Sequence, residues 1–306
     1  MNPNETHPYG LTIVVTDSGL GGLSVTADLE HQLRSKNKFG KIRIIFFNSL
    51  AASDFGYNSM ATIEKKSEVF DSALNTIQRL YSPNIILIAC NTLSVVYEHT
   101  KFSKESNTQV IGIIDRGVEM IIDDIQKNPN SSVLLLGTPT TISSLAYHKR
   151  LLEKGVREER IINQPCPLLE TAIQQNPDSE IVQRMINDFL IEAKKKELVN
   201  SEKIIVALCC THYGYSEMIF HKVVQNTFKK DYILLNPNIK MVEFAVENLQ
   251  ENKDKFSELS VEVVSQVKLK SEEITSIANI LRTISPFTAS ALENYIFSEF
   301  LFSFSK

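Results

Sequence analysis

Two similar apolar runs mark the two halves of the chain. Residues 85–90 read IILIAC and residues 204–210 read IIVALCC. Each run is rich in branched side chains and has no polar interruption, which is the pattern of a strand buried on both faces of a parallel sheet. Each run ends in a cysteine, Cys90 or Cys210, and the small polar residues that follow can begin a helix. Because ligands bind at the carboxyl ends of strands in open parallel sheets, both thiols are expected at a binding site.

Strand patterns alternate with helical patterns along the rest of the chain. Loop-forming Pro and Asn at residues 128–131 separate a first series of these elements from a second. Such alternation is typical of parallel α/β sheets. The sequence therefore predicts an α/β protein of two similar parallel-sheet subdomains, with the active site in the cleft between them, and the elements after residue 229 are expected to complete the first subdomain. The strand patterns cover residues 11–16, 41–47, 85–90, 110–114, 132–136, 160–164, 203–208, 232–235 and 261–264.

Length and composition narrow the class of protein. The chain has 306 residues, enough for two hydrophobic cores, and no apolar run approaches the length that spans a membrane. The first ten residues are polar and lack the features of a signal peptide, so a cytoplasmic location is expected. A net charge of −4, with lysines scattered along the chain, gives no basic stripe for nucleic acid. The expected partner is a small molecule, and the four cysteines are expected to be free thiols.

The C-terminal segment, residues 286–306, is dense in aromatic residues. An isolated tail would not leave so many aromatic side chains in water. The segment is expected to pack on the body of the protein or on a second copy of the chain, so a homodimer contact stays open. Its aromatic residues are Phe287, Tyr295, Phe297, Phe300, Phe302 and Phe304.

A glycine-rich turn, DSGLGGLS at residues 17–24, follows the first strand. A dinucleotide-binding turn needs glycine at its first, third and sixth positions, but Ser24 occupies the sixth position and an acid precedes the turn. Nucleotide binding is therefore disfavoured. Two interpretations remain: the glycines allow a tight connection between strand and helix, or Asp17 and Ser18 face the same crevice as Cys90.

Two thiols at equivalent positions in two similar subdomains suit the inversion of a carbon centre. One group removes the α-proton from one face while the other delivers a proton to the opposite face. Thiolate is the active base. His212 is the more natural helper, because imidazole titrates near neutrality, and Asp17 is a second candidate. No lysine context indicates a Schiff base, so chemistry without a cofactor is expected. Neutral donors for a substrate carboxylate are available from Asn91, Thr92, Thr138 and Thr211.

The other cysteines have simpler explanations. Cys209 precedes Cys210 in a strand, so the two side chains point to opposite faces and one of them can reach the cleft. Buried cysteine commonly behaves as a small hydrophobic residue, which is the favoured interpretation of Cys166 and Cys209. A zinc site formed by Cys209, Cys210 and His212 is disfavoured, because these ligands would not converge on one face.

Five short motifs occur in the order found in a known family. They are DSGLGGLS at residues 17–24, ACNT at 89–92, GT with a following threonine at 137–141, CP at 166–167 and CTHY at 210–213. Each motif is weak alone, but five in order over nearly the whole chain are specific. On these motifs the chain resembles the glutamate racemases of the aspartate/glutamate racemase superfamily.

The resemblance implies racemisation of glutamate without a cofactor, which in the family supplies D-glutamate for peptidoglycan. It implies that Cys90 and Cys210 transfer the protons. It also implies that the second subdomain is inserted into the first, which gives a discontinuous subdomain of residues 1–116 and 230–306 and a continuous one of residues 117–229. The residues implied to assist proton transfer are Asp17, Glu170 and His212. Those implied to contact the substrate are Ser18, Asn91, Thr92 and Thr211.

The loop expected to line the substrate site departs from the family pattern. Asp54, Phe55 and Gly56 stand where the family has P-Y-G. If Asp54 points inward, its charge repels the side-chain carboxylate of glutamate. Racemisation of aspartate or another amino acid is therefore an alternative, and a non-catalytic binding or regulatory protein is another, since fold alone does not determine function. Glu170 is equally well explained as an acid favoured at a helix start.

Overall fold

The computed structural model describes residues 10–36, 40–196, 199, 201–249 and 258–304. The strands of these residues form two separate sheets, and neighbouring strands within each sheet run parallel. The prediction of an α/β fold with two parallel sheets is confirmed. In the part of the chain described, no helix is both long and apolar enough to cross a membrane.

Strands and helices alternate along the described residues as the hydrophobic pattern predicts. The strands are β1 (Leu11–Asp17), β2 (Lys41–Asn48), β3 (Ile85–Ile88), β4 (Gln109–Gly112), β5 (Ser131–Gly137), β6 (Ile161–Pro165), β7 (Lys203–Cys209), β8 (Asp231–Leu235), β9 (Glu258–Ser265) and β10 (Ile296–Phe297). The helices are α1 (Leu23–Lys36), α2 (Ile63–Tyr81), α3 (Asn91–Tyr97), α4 (Phe102–Glu105), α5 (Ile113–Lys127), α6 (Pro139–Ser143), α7 (Ala146–Glu153), α8 (Leu169–Gln175), α9 (Glu180–Lys195), α10 (Glu217–Phe228), α11 (Pro237–Asn248), α12 (Ser271–Arg282) and α13 (Pro286–Glu293). Short 3-10 helices cover Tyr57–Ser59, Glu158–Arg160 and Thr211–Ser216.

The first sheet has the strand order β10-β9-β2-β1-β3-β4 and the second has the order β6-β5-β7-β8. Strand β8 was expected in the first subdomain, because it lies after residue 229, and this expectation is wrong. It pairs with β7 in the second sheet. The reason is topological: α10 connects β7 to β8, and two strands joined by one helix usually lie side by side in one parallel sheet.

The unbroken apolar runs are buried on both sides. In β1, Ile13 and Val15 lie in one hydrophobic cluster while Val14 lies in another, on the opposite face of the sheet. In β7, Ile204 and Ile205 divide in the same way between two further clusters. Helices therefore cover both faces of each sheet, and a strand with two buried faces has no polar positions to alternate with.

The region after β4 differs from the sequence expectation. A strand is predicted at residues 110–114, but the strand ends at Gly112 and helix α5 begins at Ile113. Buried residues then recur at helical spacing, at Ile114, Val118 and Ile121. The apolar run is thus shared between the end of a strand and the first turn of a helix, which a short window of hydrophobicity does not separate.

The aromatic C-terminal segment packs on the body of the protein, as predicted. Phe302 is 5% exposed and its ring centroid lies 6.0 Å from that of Phe47. Its backbone N–H donates a hydrogen bond of 3.1 Å to Gln266, whose side-chain amide donates to the carbonyl of Ala51. Phe300, by contrast, is 88% exposed. The homodimer contact stays a prediction.

These two phenylalanines provide a matched test of the C-terminal packing. Replacing Phe302 with alanine is expected to lower the free energy of unfolding by about 3–5 kcal/mol, because it leaves a cavity beside the first sheet. The same change at Phe300 is expected to cost at most about 0.5 kcal/mol, because that ring is in water. Urea denaturation of the two variants measures the difference. Equal losses would show that the segment does not belong to the core.

Candidate active site

Cys90 lies where strand β3 passes into helix α3. It is the residue that caps this helix, and its side chain is buried. Strand β1 pairs with β3, so the residue after β1, Ser18, reaches the same sheet edge. Its hydroxyl oxygen lies 3.2 Å from the sulfur of Cys90. The expectation that the turn after β1 faces the same crevice as Cys90 is met by this contact.

The environment of Cys90 opposes ionisation. Burial raises the pKa of this thiol to about 12, and the charge of Asp17 adds to the rise. Hydrogen bonds from the Ser18 hydroxyl and from the backbone N–H groups of Leu93 and Ser18 act in the opposite direction, because they stabilise the thiolate. The site therefore holds a protonated thiol with donors already in place for the anion.

Cys210 lies at the corresponding end of β7, where the Thr211–Ser216 3-10 helix begins. It is buried, and burial raises its pKa well above the ordinary value for a thiol. Repulsion from the anionic forms of Glu170, Cys90 and Asp17 raises the pKa further, whereas a hydrogen bond from the backbone N–H of His212 acts in the opposite direction. Such interactions act over short distances, so the two thiols occupy one electrostatic environment.

The two adjacent cysteines face opposite sides of the second sheet. Cys210 packs in the cluster that contains Leu208, while Cys209 packs in the cluster that contains Ala207. The predicted division between them is confirmed. Cys166 is also buried, in the same cluster as Cys210.

The raised pKa of Cys90 predicts an unusual pH dependence of alkylation. A thiol of ordinary pKa, about 8.5, is mostly ionised by pH 9.5, so its reaction rate with iodoacetamide levels off there. With a pKa of about 12, Cys90 is expected to react about tenfold faster for each pH unit from 7 to 10. Mass spectrometry of the Cys90 peptide measures the rate. A plateau near pH 9 would contradict the burial argument.

A buried hydrogen bond joins the ends of strands from the two sheets. The hydroxyl of Thr211 donates to Oδ2 of Asp17 at 2.7 Å. Both residues are fully buried, and they follow or end strands of different sheets. Asn238 adds a second link, since its side-chain amide donates to the carbonyl of Thr211 and to the hydroxyl of Ser24. The predicted residues Asp17 and Thr211 are thus brought into direct contact.

His212 contacts Cys210 through one ring nitrogen and helix α8 through the other. Its Nδ1 lies 3.9 Å from the sulfur of Cys210, and its Nε2 lies 3.0 Å from Oε1 of Gln174. Burial lowers the pKa of the imidazole, while the charge of Asp17 opposes that shift. Since the pKa lies below its ordinary value of about 6.5, the ring is neutral at neutral pH and can accept a proton.

The glycines of the first turn allow the two subdomains to approach closely. A β-carbon on Gly21 would lie 2.4 Å from Oγ1 of Thr211 and 2.6 Å from Nδ1 of His212. One on Gly19 would lie 3.0 Å from Cε1 of the same histidine. Neither glycine has a positive φ angle. Contact with the second subdomain, rather than a special turn conformation, therefore requires glycine here.

The predicted neutral donors also meet across the cleft. The hydroxyl oxygens of Thr92 and Thr138 are 2.9 Å apart, and Thr138 donates to Thr141 at 3.0 Å. Asn91 accepts a hydrogen bond of 2.7 Å from the hydroxyl of Tyr147. Helix α3 of the first subdomain therefore presents its first turn to α6 and α7 of the second.

Glu170 and Gln174 lie in the same short helix, α8, but they have different surroundings. Glu170 is half-buried, and burial raises the pKa of its carboxyl group. Its Oε1 accepts a hydrogen bond of 3.4 Å from Asn58, and its charge acts on Cys210. Gln174, and not Glu170, hydrogen-bonds His212. No motif or charge marks Gln174 in the sequence, so its place beside the histidine emerges only from the fold.

The loop predicted to line the substrate site contains both exposed and buried residues. Asp54 is exposed, whereas Phe55 stacks on Phe304 with centroids 6.1 Å apart. Tyr57, just after Gly56, is 2% exposed, and both burial and the charge of Cys90 raise its pKa well above the ordinary value. A tyrosine at this position has no signal in the sequence beyond its aromatic character. Its hydroxyl nevertheless lies in the electrostatic environment of the first thiol.

Several buried polar atoms around the thiols have no hydrogen-bond partner among the described residues. They include the hydroxyl of Tyr57, Nδ2 of Asn91 and Oε2 of Glu170. Buried polar atoms are rarely left without partners in folded proteins. These atoms are therefore candidates to bind a polar ligand. Within the described residues, no group of three or more His, Cys, Asp or Glu side chains is arranged to hold a metal ion.

The chain is similar in sequence to curated glutamate racemases, although no family model matches it. It is 29% identical to the glutamate racemase of Aquifex pyrophilus over 204 residues, which cover 66% of this chain and 71% of that protein. It is also 29% identical to the glutamate racemase of Syntrophus aciditrophicus over 225 residues, which cover 73% of this chain and 75% of that protein.

Solved structures of glutamate racemases have the same fold. The enzyme of Francisella tularensis, solved in complex with D-glutamate, matches 90% of this chain and 95% of its own with a TM-score of 0.69 at 22% identity. An enzyme of Bacillus anthracis matches 95% of this chain and 97% of its own with a TM-score of 0.66 at 20% identity. In sequence and in fold, the chain is thus similar to the glutamate racemases, which confirms the resemblance predicted from its motifs.

Proposed function

We propose that the chain is a glutamate racemase that interconverts L- and D-glutamate without a cofactor. The observation that carries the proposal is the pair of buried thiols, Cys90 and Cys210, at the carboxyl ends of strands from different sheets and within one electrostatic environment. Proton transfer to and from opposite faces of one carbon needs two such groups. The similarity to curated glutamate racemases supports the choice of reaction.

The reaction balances when one cysteine is a thiolate, the other is a thiol, and a base holds the proton that the first cysteine has lost. The thiolate of one cysteine takes the α-proton, so an S–H bond forms as the C–H bond breaks. The thiol of the other cysteine gives its proton to the opposite face of the carbanion, which leaves the second sulfur as thiolate. His212 is the base proposed to accept the proton of Cys210, since its Nδ1 lies 3.9 Å from that sulfur. Asp17 is the residue assigned to assist at Cys90.

The polar atoms without partners are assigned to the substrate. Nδ2 of Asn91 and the hydroxyl of Tyr57 are donors suited to a carboxylate, whereas Oε2 of Glu170 is an acceptor suited to the ammonium group. Each would recover a hydrogen bond that burial otherwise denies it, which favours binding. The hydroxyl groups that complete the proposed substrate site belong to Ser18, Thr92, Thr138 and Thr211.

Glutamate is preferred to aspartate as the proposed substrate for two reasons. Asp54, whose inward charge would have repelled the side-chain carboxylate, is exposed. The solved racemases of Francisella tularensis and Escherichia coli contain D-glutamate and L-glutamate respectively. Phe55 and Gly56 remain proposed lining residues of the substrate loop. In the cell, D-glutamate made in the cytoplasm would supply peptidoglycan synthesis, as in the family.

The proposed division into subdomains follows the two sheets. The discontinuous subdomain contains residues 1–116 and the C-terminal part of the chain, and the inserted one begins at residue 117. Strand β8 moves the end of the insertion beyond residue 229. Each subdomain then contributes one of the two cysteines to the cleft.

Proton exchange in deuterium oxide tests the proposed function. The full chain, incubated with L-glutamate in deuterium oxide, is expected to abolish the optical rotation and to place deuterium on the α-carbon of both enantiomers. A panel of amino acids that includes aspartate is tested in parallel. Faster α-proton exchange with aspartate would show that aspartate, and not glutamate, is the substrate. Thermal stabilisation by an amino acid without exchange of its α-proton would indicate a binding protein instead.

A further inference from the structure

The side chain of Gln174 makes three contacts at the boundary of the two subdomains. Its Oε1 accepts a hydrogen bond of 2.9 Å from the backbone N–H of Leu20, in the glycine-rich turn. Its Nε2 donates a hydrogen bond of 3.2 Å to Oε2 of Glu273, in α12. Its Oε1 also lies 3.0 Å from Nε2 of His212. Gln174 takes no part in the proton transfers proposed for the two cysteines.

Two of these contacts determine which way the amide points. A backbone N–H can only donate, so the atom of Gln174 that faces Leu20 must be the oxygen. The carboxylate of Glu273 accepts, so the atom that faces it must be the NH₂ group. The amide orientation therefore does not depend on the histidine, and the oxygen is directed at the imidazole.

That orientation determines the tautomer of His212. Oxygen of an amide cannot donate, so Nε2 of the ring must carry the hydrogen in the 3.0 Å contact. A neutral imidazole has one N–H, so Nδ1 then has a free lone pair. This nitrogen is the one that lies 3.9 Å from the sulfur of Cys210.

We propose that Gln174 is a positioning residue that holds His212 in the Nε2–H tautomer, so that Nδ1 accepts the proton of Cys210. The catalytic purpose of this role rests on the proposed function, whereas the contacts of Gln174 do not depend on it. In the step it supports, the S–H bond of Cys210 breaks and an N–H bond forms at Nδ1, which yields a thiolate and an imidazolium. The amide oxygen continues to accept from Nε2–H after this transfer.

The absence of charge on Gln174 is part of the proposal. A carboxylate at this place would stabilise the imidazolium, and a histidine that is already protonated cannot accept a proton from the thiol. The other groups that face His212 are Asp17, whose charge acts on the ring, Cys210, and the ring of Tyr215 at 6.5 Å between centroids. Of these, Asp17 alone opposes the neutral form.

Nitrogen NMR on protein labelled with ¹⁵N-histidine tests the tautomer directly. The chain has six histidines, and the spectrum of His212→Asn identifies the signals of His212. In the wild-type protein, we expect a protonated Nε2 and an unprotonated Nδ1. In Gln174→Met, which keeps the length of the side chain but removes the acceptor, we expect the proton to move at least partly to Nδ1. Gln175→Met, an exposed change in the same helix, is the control and should leave the signals in place.

The pH profile of racemisation gives a second, independent measurement. Gln174→Glu is expected to raise the pKa of His212, so the acidic limb of the rate profile moves about one pH unit or more towards higher pH. Gln174→Met is expected to lower kcat about 10- to 100-fold with little change in KM, because Gln174 is not among the residues proposed to bind the substrate. A merely structural role would not move the acidic limb.

The outcomes separate this inference from the proposed function. A wild-type protein with the proton on Nδ1, or a Gln174→Met variant with an unchanged tautomer, overturns the role of Gln174 even if the chain racemises glutamate. The expected change of tautomer in a chain that exchanges no α-proton would support the positioning role and reject the racemase. Both measurements use the full chain.

Discussion

Replacement of either Cys90 or Cys210 by alanine is expected to lower the rate of glutamate racemisation by ~1,000-fold or more. General acid–base groups contribute about 10²- to 10⁴-fold each, and inversion requires one on each face of the α-carbon. The neighbouring thiol of Cys209 cannot substitute for Cys210, because it packs on the opposite face of the second sheet. Circular dichroism of L- and D-glutamate solutions measures the rate in both directions.

Cys209→Ala is the matched control for this prediction. The change removes the same atom from a neighbouring buried position, so any loss of stability is comparable, but the sulfur removed faces away from the cleft. Activity within about threefold of the wild type is expected. If Cys209→Ala lost as much activity as Cys210→Ala while both remained folded, the assignment of Cys210 would be wrong.

Gly21→Ala is expected to reduce activity about 100-fold and to lower the free energy of unfolding by about 1–3 kcal/mol. The new β-carbon would lie 2.4 Å from Oγ1 of Thr211 and 2.8 Å from the backbone nitrogen of His212. Atoms this close must move apart, and a displacement of about 1 Å at a catalytic group is enough for such a loss. The change therefore shifts the histidine relative to Cys210 without touching either side chain's chemistry. Activity and urea denaturation are measured on the same protein.

Gly10→Ala controls for the general cost of adding a methyl group at a glycine. There the nearest atom, the carbonyl oxygen of Lys41, would lie 3.5 Å away, which is an ordinary contact. Activity and stability are expected to stay near the wild-type values. Should Gly21→Ala retain full activity, the close packing of the glycine-rich turn on the His212 segment would not be required for function.

The motifs determine the positions of the reacting groups well, because those positions depend on local rules. An apolar run that ends in a small polar segment predicts a buried strand and the start of a helix, and Cys90 and Cys210 both follow from that rule. Alternation along a strand separates Cys210 from Cys209. These predictions needed no knowledge of which strands are neighbours.

Other parts of the site depend on contacts between distant segments. The motifs single out Glu170 in α8, but the residue of that helix that accepts a hydrogen bond from His212 is Gln174, one turn further along. Two further features also depend on contacts between distant segments: Tyr57 lies in the environment of Cys90, and β8 pairs in the second sheet. A neutral side chain gives no sequence signal of its partner, and a short strand gives no sequence signal of which sheet it joins.

Local patterns along the chain are enough to identify a parallel α/β protein with two halves, in each of which a buried strand ends in a thiol, and they indicate the racemase family. Hydrophobic period and motif order are properties of neighbouring residues, and the chain displays them before it folds. The groups that surround the thiols depend on how the chain folds. The pKa of Cys90, the partner of His212 and the need for glycine at position 21 all depend on burial and on atoms brought together from different subdomains.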